Sequence, residues 1–194
     1  TASPRTRRER PVPVALLTRP RTPVGPPVTD PTPFAHESVL LDRVLELFAP
    51  VPAGTVVDAT LGGAGHAAAL LEARADLRVL GLDQDPYALA AAQARLAPFG
   101  PRATAIHARF DRLASVVAAS GAAIQPIVGV LFDLGVSSPQ LDRPERGFSY
   151  RNEAEIDMRM DTTGGRTAAD LVNELPEREL AAVLRRNADE RFAG

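Results

Sequence analysis

The chain is 194 residues long, 45% hydrophobic and 24% charged, a balance that excludes a wholly disordered polymer and fits one domain, or one domain with part of another. It contains no cysteine, which removes disulfides, thiolate metal sites, iron–sulfur clusters and a cysteine nucleophile. A net charge of −2 by itself argues for neither nucleic acid nor membrane as partner, and no apolar run approaches the roughly 18 residues of a membrane span.

The charge is unevenly placed. Residues 1–33 hold six of the 22 basic residues, two of the 24 acidic ones and nine of the 18 prolines. Proline at that density prevents a continuous helix or a central strand, so 1–33 reads as a disordered arm. Its apolar patch, residues 12–17, is too short for a signal peptide. The arm is either a loose basic contact to RNA or a solvated tail. All 22 basic residues are arginine; this is either a mark of genome composition or of bidentate phosphate binding.

From Phe34 the pattern becomes regular. After His36-Glu37-Ser38, apolar residues from Val39 to Phe48 fall at helical spacing, and Pro50 and Pro52 stop that helix. Residues 55–60 (TVVDAT) are a β-branched run followed by a glycine loop, and 67–75 an alanine-leucine helix. Residues 78–83 (RVLGLD) are a second strand; Pro86 opens a helix through Leu96. Residues 103–107 are a third strand and 113–119 a helix ending near Gly121. Residues 127–134 (IVGVLFDL) are apolar almost throughout, as expected of a strand buried on both faces. Strands alternating with helices every 20–25 residues mean βαβ units, hence an α/β fold with a parallel sheet and right-handed crossovers. Ligands of such sheets sit beyond the carboxyl ends of the strands.

All four strand ends carry unusual residues. After the first comes Asp58-Ala-Thr-Leu-Gly62-Gly63-Ala64-Gly65-His66. It is either a plain tight turn or a loop that lets backbone approach a ligand at a helix start. Asp58 beside it repels a pyrophosphate and attracts a cation, and the spacing is not G-x-G-x-x-G. After the second comes Asp83-Gln84-Asp85. Asp83 stands where an acid receives ribose hydroxyls in nucleoside-binding folds, and Asp85 suits the cap of the next helix. After the third come His107, read as filler, and Phe110, which either packs on a purine or joins the core. After the fourth, Asp133 leads into Gly135-Val-Ser137-Ser138-Pro139-Gln140. A carboxylate there is poorly explained by packing unless it is paired or faces a cleft.

Taken in order, residues 36–41 (HESVLL), 58–66 (DATLGGAGH), 83–86 (DQDP), 133–142 (DLGVSSPQLD), 146–150 (RGFSY) and 157–161 (DMRMD) resemble the ribosomal small-subunit methyltransferase H family, also called MraW, over about residues 35–194. The resemblance implies a class I, Rossmann-like fold using S-adenosylmethionine. It also implies methylation of the N4 amine of one cytidine in the decoding region of 16S rRNA, within the small ribosomal subunit in the cytoplasm. Carried across by position, the cofactor residues are Gly62, Ala64, Gly65, His66, Asp83, Phe110, Asp133 and Gln140; Asp58 joins them on charge alone. The family pattern has glycine where this chain has Ala64, and alanine fits if its φ stays negative.

The resemblance further implies a chain continuing past Gly194. The expectation is therefore an N-terminal fragment: a cofactor-binding part, 34–145, and the start of an inserted helical domain, 146–194. The strand order 3-2-1-4 that the resemblance implies would leave the fourth strand as an uncovered edge. In the insert, Thr167-Ala-Ala-Asp170 resembles a capping box, with a helical run to Leu184 broken at Pro176. Catalysis is expected from Asp133 and the loop of Gly135, Ser137, Ser138 and Pro139. They would accept hydrogen bonds from the amine of a base turned out of its stack. Arg146, Arg151, Arg159 and Arg166 either hold phosphates or form a solvated face. Met158 and Met160 are expected in the core. No metal and no membrane are expected. Two rivals remain: an inactive fragment that binds cofactor or RNA, and a nucleotide-dependent oxidoreductase.

Overall fold

A computed structural model describes residues 38–120, 126–151 and 153–193; the expectations for the 1–33 arm, for His36 and Glu37 and for Gly121 lie outside them. Helix α1 (Leu41–Phe48) leads into β1 (Gly54–Asp58), α2 (Gly65–Ala73), β2 (Leu77–Asp83) and α3 (Pro86–Leu96). Strand β3 (Ala103–His107), α4 (Leu113–Ala119) and β4 (Ile127–Leu131) follow, then three helices, α5 (Ser138–Asp142), α6 (Ala168–Glu174) and α7 (Glu177–Ala188).

The four strands form one sheet in the order β3-β2-β1-β4, with every pairing parallel. Alternation along β1 sends successive side chains to opposite faces. Val56 joins α2 and α3 in one apolar layer with Leu61, Leu70, Leu71, Leu89 and Leu96, backed by Phe48 of α1. Val57 joins Leu80 and Leu82 on the other face, against Leu113, Val116 and Val117 of α4. Helices thus cover both faces of a parallel sheet, the doubly wound α/β architecture expected from the βαβ spacing.

Carbonyls at the helix ends are held by arginine. Arg74 donates to the carbonyls of Phe48, Ala49 and Val51 after α1, and Arg102 donates to those of Leu71, Arg74 and Leu77 after α2. Those at the helix ends have no partner inside the helix, and two of the arginines thus serve the backbone there and in the connections that follow. Asp85 caps α3, its Oδ1 accepting from the Tyr87 N–H at 3.0 Å. The capping box at α6 is present too: Thr167 Oγ1 accepts from Asp170 N and Asp170 Oδ2 from Thr167 N, both at 3.0 Å. Pro176 separates α6 from α7.

The fourth strand departs from expectation. It ends at Leu131, not Leu134, and it is not buried on both faces: Val130 is 44% exposed and Phe132 47%. Among the described residues its neighbour is β1, whose last paired residue is Asp58, opposite Leu131. Beyond that point no ladder exists for residues 132–134, and an edge strand has one flank without a neighbour. Met158 and Met160 are not core either; Met158 is half exposed in a left-handed backbone conformation (φ 59°).

Candidate functional site

The order of strands reverses between β1, whose next strand lies on one side, and β4, which lies on the other. Crevices form at such switch points. A cleft of about 510 Å³ opens there, walled by residues from all four strand ends: Thr60 to Gly63, Asp83 and Gln84, Ala108 to Phe110, and Asp133 to Ser137.

The floor is built by the turn after β1. Asp58 Oδ1 accepts from Thr60 N at 3.2 Å, bending the chain off the strand. Gly62, at φ +53°, presents its N–H to Asp83 Oδ2 at 2.7 Å. Ala64 sits at φ 61°, ψ 32° immediately before α2. The condition of a negative φ is therefore not met, and a glycine would have a physical reason at this position. The left-handed conformation costs a residue with a Cβ about 1–2 kcal/mol. Here the methyl is fully buried among Leu61, Ala67 and Leu70, which returns about 0.8 kcal/mol. Ala64→Gly relieves the strain, empties that space and loosens the unfolded chain by about 0.5–1 kcal/mol. Its expected effect, read by denaturant titration, is a stability change of less than about 1 kcal/mol, the three contributions nearly cancelling.

Asp83 holds two loops at once. Besides Gly62, its Oδ1 accepts from Asp85 N at 2.8 Å. Burial pushes its carboxyl above the usual range, while those two amides pull the other way. A carboxylate has about four acceptor positions; two are taken by backbone, and the side chain still lines the cleft. The remaining acceptor positions are open to paired hydroxyl donors. Gly65 allows the close approach at the start of α2: a Cβ there would run into Ser38 Oγ. His66 bonds through Nε2 to the carbonyl of Val39 at 2.9 Å, which pins the segment before α1 to the cleft.

Of the residues singled out in the sequence, Gly62, Gly65, His66, Asp83, Phe110, Asp133, Gly135, Ser137 and Gln140 meet in this cleft. Phe110 is not core: it is half exposed and packs edge-on to Phe132, ring centres 5.9 Å apart. Asp133 is exposed, and its N–H donates to Thr60 Oγ1 at 2.7 Å, tying the β4 loop to the β1 loop. Asp58 and Ala64 lie behind the wall, both buried, and Ser138 and Pro139 form the first turn of α5. His107 stays outside the cleft, Nε2 bonded to the carbonyl of Gln84 at 2.9 Å.

The arginines assigned to phosphate need correction. Arg146 is 4% exposed and paired with buried Asp85 at 2.8 Å, so it is neither a phosphate contact nor a solvated face. Arg159 forms a two-pronged pair with Asp157 at 2.8 and 2.7 Å, which holds that carboxyl below its ordinary range against its burial. Arg166 pairs with Glu174 at 3.1 Å and remains exposed, as does Arg151. Gln84 and Met160 also wall the cleft, Gln84 Nε2 donating to the Met160 sulfur at 3.1 Å. Both stand inside quoted motifs, but nothing local marks them as neighbours 76 residues apart.

Asp58 is the most perturbed acid. It is 1% exposed, and burial pushes its carboxyl up from 3.8 to about 6; the Thr60 amide and nearby His66 oppose this, while Asp83 and Asp133 add to it. The folded state therefore binds this proton more tightly than the unfolded chain, and the stability it gives is present at low pH and lost as pH rises from about 4 through 6. Removing the charge while keeping the acceptor reverses that loss. Asp58→Asn is expected to raise unfolding stability at pH 7.5 by about 2 kcal/mol and to flatten its pH slope between about 4 and 6, in denaturant titrations across that range. The acids whose pKa is lowered, such as Asp157, act below about 4 with the opposite sign.

Among the described residues no group of three or more His, Asp or Glu side chains is placed to hold a metal ion, and no helix is long and apolar enough to cross a membrane. Residues 33–194 match the model of the MraW methylase family. Proteins named ribosomal RNA small subunit methyltransferase H are similar to the chain: those of Mycobacterium tuberculosis and Mycobacterium bovis are each 49% identical over 179 residues, covering 88% of this chain and 45% of theirs. That of Mycobacterium avium is 49% identical over 179 residues, covering 87% and 46%. The chain thus spans a little under half the length of these relatives. Among solved structures, an rRNA methylase from Streptococcus thermophilus aligns at 26% identity and a TM-score of 0.38, over 49% of this chain and 52% of that one. A putative rRNA-methylase from Clostridium thermocellum aligns at 25% and 0.35, over 39% and 43%.

Proposed function

The chain belongs to the MraW methylase family, and from that premise we propose that it carries the S-adenosylmethionine grip of an enzyme that methylates the N4 amine of one cytidine in the decoding region of 16S rRNA. The observation that carries the reading is the acid-lined cleft at the switch point, with Asp83 bridging Gly62 and Asp85. In it, Asp83 accepts the ribose hydroxyls, Phe110 gives the purine an apolar face, and the backbone from Gly62 to His66 receives the amino-acid end. Asp83 and Asp133 on the wall, with Asp58 buried behind it, put carboxylates at the strand ends that suit a cationic group, and Arg95 and Arg109 stand on the same wall. When bound, S-adenosylmethionine supplies an electrophilic methyl group on a sulfonium.

The cytosine amine is a poor nucleophile because its lone pair is delocalised into the ring. The protein's part is to position that amine and to accept its hydrogens as charge develops. Asp133 and the carbonyls of the 135–139 loop stand at the mouth for this. Residues 34–145 are the cofactor-binding part and 146–194 begin the domain that meets the small ribosomal subunit, in the cytoplasm. The test has two arms. Calorimetry on this chain reads binding of S-adenosylhomocysteine. Tritium transfer from S-adenosylmethionine to small ribosomal subunits, by a chain extended to the relatives' length, is expected to label N4-methylcytidine on nucleoside digestion. Label on another base, or none, rejects the substrate assignment.

A further inference from the structure

Three walls of the cleft converge on one buried ion pair. Asp85, Arg146 and Gln140 are 3%, 4% and 6% exposed. Asp85 Oδ2 accepts from Arg146 Nη1 at 2.8 Å and from Gln140 Nε2 at 3.0 Å, while Oδ1 caps α3. Arg146 Nη2 reaches the carbonyls of Arg159 and Met160 at 3.0 and 3.2 Å, and the Arg146 carbonyl accepts from Met158 N at 3.0 Å. Gln140 Oε1 accepts from Ser137 N at 3.0 Å. The pair therefore joins the β2–α3 edge, the loop after β4 and the 157–160 segment. Each of these puts a side chain on the cleft wall: Gln84, Gln140 and Met160.

Stability alone does not account for this arrangement. Desolvating two charges offsets most of their attraction, and an apolar replacement of a buried pair is often neutral or stabilising. Arg146 Nε, moreover, finds no acceptor. The segment it grips is itself strained, with Met158 at φ 59°; such strain persists where surrounding contacts impose it. At Gly147 (φ 68°) a Cβ would collide with the backbone of Glu155 and Asp157, so the returning segment packs directly on the latch.

We propose that the Asp85–Arg146 pair is a latch that sets ligand affinity by holding Met160 and Gln140 against the cleft. Both charged groups are positioning residues, and the ligand half of the inference rests on the S-adenosylmethionine reading. Arg146→Lys keeps a charge for Asp85 but lacks the fork that reaches both carbonyls. It is expected to weaken S-adenosylhomocysteine binding about tenfold by calorimetry and to speed amide exchange at Asp157, Met158 and Arg159 in the ligand-free protein, with exchange in β1 and β2 unchanged. Met160→Ala leaves the latch but removes the wall, and is expected to weaken binding similarly. On that background Arg146→Lys is expected to add less than the tenfold it costs alone, because the share of its effect that runs through Met160 is already lost. Should Arg146→Lys fail to fold, the double substitution Asp85→Asn with Arg146→Met removes both charges, keeps the α3 cap acceptor and carries the same expectations.

Binding within twofold of the unsubstituted chain despite faster exchange overturns the proposal, as do fully additive losses on the Met160→Ala background. If the unsubstituted chain does not bind S-adenosylhomocysteine, the cofactor reading and the ligand half of the proposal both fall. The exchange measurement then decides by itself whether the latch holds the wall.

Discussion

Asp83→Ala is expected to weaken S-adenosylhomocysteine binding by about a hundredfold, measured by titration calorimetry on the isolated chain. Two hydroxyl hydrogen bonds to a carboxylate are worth about 1.5–3 kcal/mol each, and even the lower figure for both gives that factor. The substitution also frees the N–H groups of Gly62 and Asp85, now held at 2.7 and 2.8 Å, so the glycine loop loosens as the ligand contact disappears. Asp83→Asn separates the two effects. Its single amide oxygen keeps one backbone partner, while its NH₂ faces the other N–H, and the expected loss is about tenfold. Because burial disfavours the ionised form of this side chain, the alanine variant recovers part of the stability that the two released amides forfeit. A folded Asp83→Ala protein that binds within twofold of the parent removes Asp83 from the ribose contact.

The parts of the fold legible in the sequence are those that depend on neighbours a few residues apart. Asp85 before Pro86 gave the α3 cap, Thr167 with Asp170 the α6 box, and β-branched runs the four strands, with β3 and α4 placed to the residue. The site followed from topology: once the strands are parallel, whatever follows their ends must meet, and nine of the singled-out residues do. Long-range pairing was not legible. Arg146 reads as a surface cation until Asp85, 61 residues away, is found beside it. The sequence 127–134 reads as a strand buried on both faces because its composition is apolar, yet burial depends on what lies alongside, and β1 ends at its fifth residue. The backbone of Ala64 was open for a third reason: handedness at a turn is dictated by how the helix must meet the strand, not by the residue that occupies it.

These misreadings share a consequence for the chemistry. Arg74, Arg102, Arg146 and Arg159 are all engaged with protein carbonyls or carboxylates. The arginine-only composition is thus spent in good part on the fold, since a planar fork can satisfy several acceptors at once. Burial raises the proton affinity of Asp58 and Asp83, and at Asp58 the neighbouring Asp83 and Asp133 add to it while His66 opposes; Arg95 and Arg109 share the cleft wall with Asp83 and Asp133. The carboxylates of Asp58 and Asp83 at the β1 turn favour a cationic group there over a phosphate. The stability expected from Asp58→Asn should accordingly come with weaker binding of S-adenosylmethionine than of the uncharged-sulfur S-adenosylhomocysteine, relative to the parent chain.

Asp133→Ala, in a chain extended to the relatives' length, is expected to lower methyl transfer to small ribosomal subunits by about 100- to 1,000-fold, the usual effect of removing one preorganised partner of a developing charge. Its melting temperature should stay within a few degrees of the parent. The side chain is exposed, and the residue's anchor is its own N–H on Thr60 Oγ1, which survives truncation to alanine. The loop is therefore expected to keep its course while the mouth loses an acceptor and a negative charge. Asp133→Asn retains one acceptor oxygen and should fall between the two, with a larger effect on kcat than on the KM for S-adenosylmethionine, since hydrogen bonds to the amine strengthen as it attacks. A loss below tenfold in a folded alanine variant moves the role to the carbonyls of the 135–139 loop. Thr60→Val then becomes the informative substitution: it cuts the tether between the two loops without touching either acceptor, so a fall in kcat there, with cofactor affinity kept, assigns the positioning of the amine to the backbone.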